Sequence, residues 1–193
     1  MVFAPSGPVA TIEASAYTTV RLTIPWALLR GLPPPPEDLA AQCTWPEAPV
    51  TLALATLDIP PDELTLLEPG GALVLPESLR SDWYGTLRAM DEAAGGVPVA
   101  LPASTSAPQF APRLIARPLA VVPAPQQFEV RLSAPRTLPV DRLAGWSDQT
   151  LADAGTGASL WRTGAVAGAA RCLAIGQLIP WGAGWALALE TVC

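Results

Sequence analysis

The chain has 193 residues, of which 50% are hydrophobic and only 15% are charged, and its formal net charge at pH 7 is −6. It contains no His, no Lys and no Asn, so all 11 of its basic residues are Arg. These absences exclude a phosphate-loop lysine, a lysine Schiff base, a histidine-dependent nucleophile and a His-containing zinc site. The net negative charge argues against nucleic acid as a ligand. We therefore expect neither a conventional enzyme nor a nucleic-acid-binding protein.

Short strands are predicted in several parts of the chain, because apolar and polar residues alternate there with a period of two. The 23 Pro and 15 Gly also favour short elements joined by turns. In chain order the predicted strands span 20–24, 50–55, 83–88, 114–119 and 128–133. The strand at 20–24 has no evident partner in the sequence that follows it.

The segment 172–189 carries no charged residue and is long enough to form a transmembrane helix. Its glycines, Pro180 and two short alternating blocks instead predict two strands around a turn at 179–184. We therefore expect no membrane insertion through this segment.

Two short helices are predicted at 61–67 and 140–143, each opened by a proline. They belong to an internal repeat: residues 59–64 read Ile-Pro-Pro-Asp-Glu-Leu and residues 138–143 read Leu-Pro-Val-Asp-Arg-Leu, and a predicted strand precedes each of them. The sequence therefore predicts two copies of one small unit.

The repeat suggests a division of the chain. We expect an N-terminal extension or the tail of an upstream domain at 1–45, and a first copy at 46–90 whose end could extend to 122. A flexible linker or loop, rich in Ala, Pro, Ser and Gly, is expected at 91–112. The second copy is expected at 124–193.

The cysteines point to a reducing compartment, and the default expectation is the cytoplasm. Cys43, Cys172 and Cys193 are widely separated in the sequence and show no disulfide-framework or metal-ligand spacing. No secretory signal is recognisable at the start of the chain. Cys172, in an alternating segment, is expected to be a small buried hydrophobic residue.

Two segments resemble the surface-presentation-of-antigens (SPOA) domain. Residues 64–75, Leu-Thr-Leu-Leu-Glu-Pro-Gly-Gly-Ala-Leu-Val-Leu, resemble the leucine-rich core of that domain around its Pro-Gly-Asp step, although Gly71 stands where the family usually has Asp. Residues 174–187 are similar to its closing hairpin. In the second copy, 145–148 lacks the Pro-Gly step and Ala183 stands where an acidic turn residue is common.

The resemblance implies a mainly β fold with short helices, in which two tandem SPOA-like small β domains pack as an intertwined pseudo-dimer. It also implies a non-enzymatic structural or adaptor protein of the cytoplasmic ring (sorting platform) of a type III secretion system. Such a protein is peripheral at the inner-membrane base of the apparatus. The implied partners are the stator or ATPase-regulator protein, other copies or fragments of the ring protein, and export chaperone-cargo complexes, with no cofactor, metal or catalytic residue.

Under this reading two groups of residues are expected to be structurally important. The candidates for the domain-domain core are Leu64, Leu67, Leu73, Leu75, Leu178, Ile179 and Trp185. The candidate turn glycines are Gly70, Gly71, Gly182 and Gly184, with a hairpin turn of positive φ expected at the first two.

Other conspicuous side chains have two readings. Trp161, Trp181 and Trp185 fit either buried core aromatics or an exposed partner-binding patch. The adjacent carboxylates at 62–63 and 91–92 are expected on solvated faces, since neighbours in sequence do not converge on a cleft.

Two alternative functions stay open at the level of sequence. Within the family, the chain could be a flagellar motor-switch component of the C-ring. From another class, it could be a small all-β enzyme or ligand-binding barrel that relies on Asp, Glu and Arg alone, for which a deep pocket lined by these residues would be required.

Overall fold

A computed structural model of the chain describes residues 9–15, 18–40, 44–80, 82–90, 95–102, 112–114, 128–133, 136–146, 149–151, 155–163 and 170–193. Within them the chain is mainly β with a few short helices, which confirms the predicted class. The strands are β1 (Val9–Ser15), β2 (Thr18–Thr23), β3 (Glu47–Leu57), β4 (Ala72–Leu75), β5 (Tyr84–Ala89), β6 (Val97–Ala100), β7 (Arg113–Leu114), β8 (Phe128–Leu132), β9 (Arg136–Pro139), β10 (Gln149–Thr150), β11 (Gly157–Arg162), β12 (Arg171–Trp181) and β13 (Gly184–Val192). The helices are α1 (Trp26–Arg30), α2 (Glu37–Ala40), α3 (Pro61–Leu64), the 3₁₀ helix η1 (Pro76–Leu79) and α4 (Val140–Leu143).

Eleven of these strands form a single antiparallel sheet. Its order is β10-β7-β6-β5-β3-β8-β11-β12-β13-β4, and β9 pairs with β3 beside this path. The strands β1 and β2 pair with each other in a separate two-stranded sheet. The predicted strand at 20–24 therefore has its partner earlier in the chain, at Val9–Ser15.

The sheet order relates two halves of the chain to each other. The first half contains β3 to β7 and the second half contains β8 to β13. The strands β3 and β8 pair at its centre; β5, β6 and β7 follow on one side, and β11, β12 and β13 follow on the other. At each end lies a strand from the opposite half, since β10 pairs with β7 and β4 pairs with β13. Each half thus completes the sheet of the other half.

The proline-led repeat is also present in the local geometry. Pro60 and Pro139 precede α3 and α4 with nearly equal backbone angles, φ −58° and ψ 148° against φ −58° and ψ 143°. A proline has φ fixed near this value, and its missing N–H is not needed at a helix start. The first helix ends at Leu64, three residues before the predicted end at 67, whereas the second has the predicted bounds.

Part of the expected linker at 91–112 is a strand of the sheet. Val97 and Val99 of β6 are fully buried between β5 and β7. Burying two valines contributes about 1.5–3 kcal/mol each, which exceeds the roughly 0.5–1.5 kcal/mol of a hydrogen bond that Pro98 does not donate. Of the remaining linker residues, 91–94 and 103–111 lie outside the described residues, as do 115–119 of the strand predicted at 114–119.

The uncharged segment 172–189 forms most of a β-hairpin, as its alternation predicts. The strands β12 and β13 pair from Ala174 to Trp181, and Gly182 and Ala183 form the turn. Gly182 has a φ of 61°, a value that favours glycine. None of the helices in the described ranges has the length and apolar character needed to cross a membrane.

One hydrophobic core joins both halves and part of the N-terminal segment. Leu54 and Leu87 from the first half pack in the same cluster as Leu160 and Leu187 from the second half. Helix α1 adds Trp26 to this cluster. The expected extension at 1–45 therefore contributes to the core through α1.

Gly176 shows how closely β12 and β13 approach each other. A Cβ at Gly176 would overlap the carbonyl oxygen of Ala188 on β13. We expect Gly176→Ala to lower the free energy of unfolding by about 1–3 kcal/mol, since an atom added to a packed site displaces its neighbours. Urea unfolding at neutral pH measures this effect.

Gly157→Ala is the matched control. Gly157 lies on β11, opposite Gln177 of β12, and a Cβ there would meet only Ser133 Cβ, at an ordinary distance of 3.7 Å. We expect a change within about 1 kcal/mol, because the alanine fits and restricts the unfolded chain. Equal losses in the two variants would contradict the close approach at Gly176.

Candidate interaction face

The strand β12 has buried side chains on one face of the sheet and exposed side chains on the other, outer face. Ala174 and Leu178 are buried, whereas Ile175 and Trp181 are 43% and 52% exposed. Successive side chains of a strand point to opposite faces, so these pairs lie on the two sides of the sheet. Two large apolar side chains therefore face outward from a single strand.

The register of the neighbouring strands extends this apolar character. Ile179 of β12 pairs with Ala186 of β13, which pairs with Val74 of β4, so the three side chains lie in one row on the outer face. Val74 is 41% exposed. We refer to Val74, Ile175, Ile179 and Trp181 as the outer apolar face.

Helix η1 lies at one end of this face and is anchored to β13. The hydroxyl of Ser78 accepts a hydrogen bond from the backbone N–H of Trp185, 2.7 Å away, and donates one to the Leu75 carbonyl, 2.6 Å away. A Cβ at Gly184 would come within 2.5 Å of the Ser78 hydroxyl and 2.9 Å of Leu79 Cδ2. The glycine is thus needed for η1 to approach β13.

The strand β4 forms one end of the sheet. It pairs with β13 on one side, and among the described strands none pairs with its other side. An unpaired edge presents backbone N–H and carbonyl groups to which a further strand can bond. Because Val74 belongs to this edge strand, the free edge borders the outer apolar face.

A charged cluster lies at the centre of the sheet, where the two halves meet. Arg88 of β5 and Arg131 of β8 both donate to Oε2 of Glu129, which also lies on β8. The distances from Oε2 are 2.5 Å to Arg88 Nη2, 2.8 Å to Arg131 Nε and 2.7 Å to Arg131 Nη2. The side chains are 12%, 11% and 16% exposed for Arg88, Glu129 and Arg131. The cluster is an ion-pair network across the two halves, largely shielded from water.

An aromatic ring completes the network. The guanidinium carbon of Arg131 lies 5.1 Å from the centre of the Trp161 ring, a distance at which a cation is attracted to the ring face. The indole N–H of Trp161 donates to the Ser159 hydroxyl, 2.9 Å away. Arg131 is therefore held by a carboxylate and by an aromatic ring.

The surroundings of Glu129 determine its charge. Burial raises the pKa of this carboxyl, but the hydrogen bonds and charges of Arg88 and Arg131 lower it by more, so the net pKa lies below the ordinary value. Glu129 is therefore ionised at neutral pH, and the three side chains carry a net charge of +1. The ion pairs thus connect β5 of the first half with β8 of the second half.

The seven predicted core residues fall into three groups. Leu75, Leu178 and Trp185 are buried in the common core. Leu64, Leu67 and Leu73 are partly buried and pack against it. Ile179 is half-buried and lies on the outer face, one residue out of phase with Leu178.

The structure brings two of these residues together across the halves. Leu75 of β4 lies directly opposite Trp185 of β13, and Leu73 lies opposite Leu187. The indole N–H of Trp185 donates to the Pro102 carbonyl, 3.1 Å away. Through these residues β4 of the first half packs against β13 of the second half.

The first two turn glycines have a different setting from the one expected. Gly70 has a φ of 89°, but the turn joins α3 to β4 and not two strands. The Gly70 N–H donates to the Leu189 carbonyl, and the Leu189 N–H donates to the Gly71 carbonyl, both at 2.8 Å. The Gly70–Gly71 turn therefore extends the pairing with β13 instead of forming a hairpin.

The three C-terminal tryptophans divide between the two readings. Trp185 is a core residue, Trp161 is half-buried beside the charged cluster, and Trp181 is exposed. The carboxylates of Asp62 and Glu63 are exposed on α3, whereas residues 91–92 lie outside the described residues. In the described part of the chain, no group of three or more Cys, Asp or Glu side chains gathers where a metal could be held.

Cys172 departs from the expectation of a buried hydrophobic residue. It is only partly buried, and its sulfur lies 3.8 Å from the sulfur of Cys193. The pair was not predicted because 21 positions separate the residues in sequence. The hairpin turn at 182–183 brings them together.

The charged cluster was also missed by the sequence reasoning. One signal was present, because Glu129 and Arg131 have the same parity in the predicted strand at 128–133 and must share a face. Arg88 lies 41 residues away from Glu129 and joins them only through the sheet order.

No protein-family model matches the chain, and a search of curated proteins also finds no match.

Proposed function

We propose that this chain is a structural and adaptor component of the cytoplasmic ring, or sorting platform, of a type III secretion system. In this proposal two tandem SPOA-like domains pack as an intertwined pseudo-dimer. The protein lies in the cytoplasm, peripheral to the inner-membrane base of the apparatus. It binds the stator or ATPase-regulator protein and other copies of the ring protein, and it helps to receive chaperone-bound cargo.

The observation that carries the proposal is the exchange of end strands between the halves. Each half has a central strand, β3 or β8, followed by a proline-led helix, α3 or α4. Each then sends one strand, β4 or β10, to the far end of the other half. An exchanged pair of small β domains with these elements is what the SPOA resemblance implies.

The outer apolar face supports a docking role. Large apolar side chains that are exposed together are more informative than single ones, because soluble domains rarely leave them without a partner. Within the described residues the outer edge of β4 pairs with no strand, so beside this face it offers backbone groups to an extended segment. We therefore assign the binding of a stator segment to this face and edge.

The docking assignment is tested by placing charge on the outer apolar face. We expect the double variant Ile175→Arg, Trp181→Arg to weaken binding of the stator protein of the same apparatus at least tenfold, about 1.4 kcal/mol, because both anchors become charged. Isothermal titration calorimetry with the purified full-length proteins measures this loss.

The control places the same charge elsewhere. Leu28 is also a large exposed side chain, but it belongs to α1, whose Arg30 donates to the Leu143 carbonyl on α4, and not to β4 or β12. Leu28→Arg should bind the stator protein as the wild type does, and circular dichroism should show that all variants are folded. Unchanged affinity in the double variant would reject this docking site.

Affinity capture from the native cell with the intact chain tests the function itself. Recovery of a stator or ATPase regulator of the secretion apparatus in stoichiometric amount would support the proposal. Recovery of flagellar motor components instead would favour the motor-switch alternative. Recovery of neither from cells with an assembled apparatus would count against a ring role.

A further inference from the structure

Cys172 and Cys193 lie side by side at the open end of the β12–β13 hairpin. Their sulfurs are 3.8 Å apart. The N–H of Cys193 donates to the Leu173 carbonyl, 2.8 Å away, so the backbone holds the two residues on adjacent strands. Both cysteines are free thiols in this structure.

The arrangement is suited to a covalent bond. A disulfide has an S–S length of about 2.05 Å, so the sulfurs must move less than 2 Å closer to each other. Cys193 is exposed and follows the last residue of β13, so its side chain can rotate without displacing a core residue.

We propose that Cys172 and Cys193 form a reversible intramolecular disulfide, made by exchange with a low-molecular-weight disulfide such as oxidised glutathione, and that this bond fastens the end of β13 to the start of β12. The proposal does not depend on the secretion role of the chain.

The reaction consists of two exchanges. The Cys193 thiolate attacks one sulfur of oxidised glutathione, the S–S bond of glutathione breaks, and one glutathione thiolate leaves and takes up a proton. The Cys172 thiolate then attacks the Cys193 sulfur and expels the second glutathione in the same way. Two protein thiols are oxidised, and one glutathione disulfide is reduced to two thiols.

The order of attack follows from the surroundings of the two sulfurs. Cys193 is exposed to the incoming disulfide, whereas Cys172 is partly buried. Burial, with a further contribution from the hydrogen bond and charge of Cys193, raises the pKa of the Cys172 thiol, so less of it is thiolate at neutral pH. Cys193 is therefore the attacking thiol and Cys172 the resolving one.

The test is made on the full chain in buffers of reduced and oxidised glutathione. After quenching with acid and alkylating the remaining thiols, peptide mapping by mass spectrometry identifies the bonds. We expect a crosslink between Cys172 and Cys193 within one chain of the wild type. Cys43→Ser should form the same crosslink, since Cys43 takes no part in it.

The single variants separate the two steps. Cys172→Ser should accumulate glutathione on Cys193, because the resolving thiol is absent, whereas Cys193→Ser should react more slowly. Oxidation should raise the midpoint of thermal unfolding of the wild type and of Cys43→Ser by about 5 °C or more, because the bond closes a loop of roughly 20 residues in the unfolded chain. Cys172→Ser should show no such rise.

Three results would overturn the proposal: separate glutathione adducts on Cys172 and Cys193 of the wild type with no crosslink, crosslinks only between chains, or a crosslink that leaves the unfolding midpoint unchanged. The mapping uses the wild type itself, so its outcome does not depend on the folding of any variant.

Discussion

Glu129→Ala should lower the free energy of unfolding by about 3 kcal/mol at neutral pH. The substitution leaves Arg88 and Arg131 close together and shielded from water without the carboxylate that both contact. Removing one partner of a buried ion pair costs about 3–5 kcal/mol, and the lower end applies because the three side chains keep some contact with water. Urea denaturation followed by tryptophan fluorescence measures the change.

Glu63→Gln is the control for this prediction. Glu63 is exposed on α3, and the loss of its charge should change the stability by less than about 0.5 kcal/mol. A cost at Glu129 as small as that at Glu63 would show that the cluster contributes little to the junction.

The Glu129 contribution also depends on pH. Because the folded-state pKa of this carboxyl is lowered, its stabilising contribution is present above the ordinary pKa of 4.5 and is lost as the pH falls through the lower, folded-state pKa. The stability difference between the wild type and Glu129→Gln should therefore be largest near neutral pH and should shrink in acid. A difference that stays constant or grows below pH 4.5 would contradict the assigned ion pairs.

Leu75→Ala should destabilise the protein by about 2–5 kcal/mol. Leu75 is fully buried on β4, the strand that the first half contributes beside β13, and it lies opposite Trp185. Truncation removes buried apolar surface and leaves a cavity in the core that both halves share. Chemical denaturation and the thermal midpoint both report this loss.

Val74→Ala provides the matched control on the same strand. Val74 is the preceding residue, and its side chain faces outward and is exposed. We expect a cost below about 1 kcal/mol, because little buried surface is removed. Similar losses at both positions would contradict the placement of β4 at the edge of the second half.

Much of the local structure was predictable. The alternation at 50–55, 128–133 and 172–189 predicts strands because a half-buried strand presents its residues in turn to two environments. The prolines before α3 and α4 predict helix starts because their backbone angle is fixed. These properties depend only on near neighbours in the chain.

Local reasoning was misleading where burial outweighed a local signal. The Ala-, Pro-, Ser- and Gly-rich composition of 91–112 predicted a linker, yet Val97 and Val99 lie in β6 and are buried. Ile179 was grouped with Leu178 as a core residue, although adjacent residues of a strand face opposite sides. In both cases the position of the neighbouring strands decided the outcome.

The class of the fold, the repeat and the strands with clear alternation, such as β3, β8, β12 and β13, follow from patterns that repeat every two residues or from single prolines. The pairing of β4 with β13, the Arg88–Glu129–Arg131 network and the adjacency of Cys172 to Cys193 come from the tertiary structure alone. Each joins residues at least 21 positions apart, except for the pairing of Glu129 with Arg131. Contacts over such separations form because packing both halves into one core removes apolar surface from water, and this gain belongs to the assembled sheet and not to any one segment.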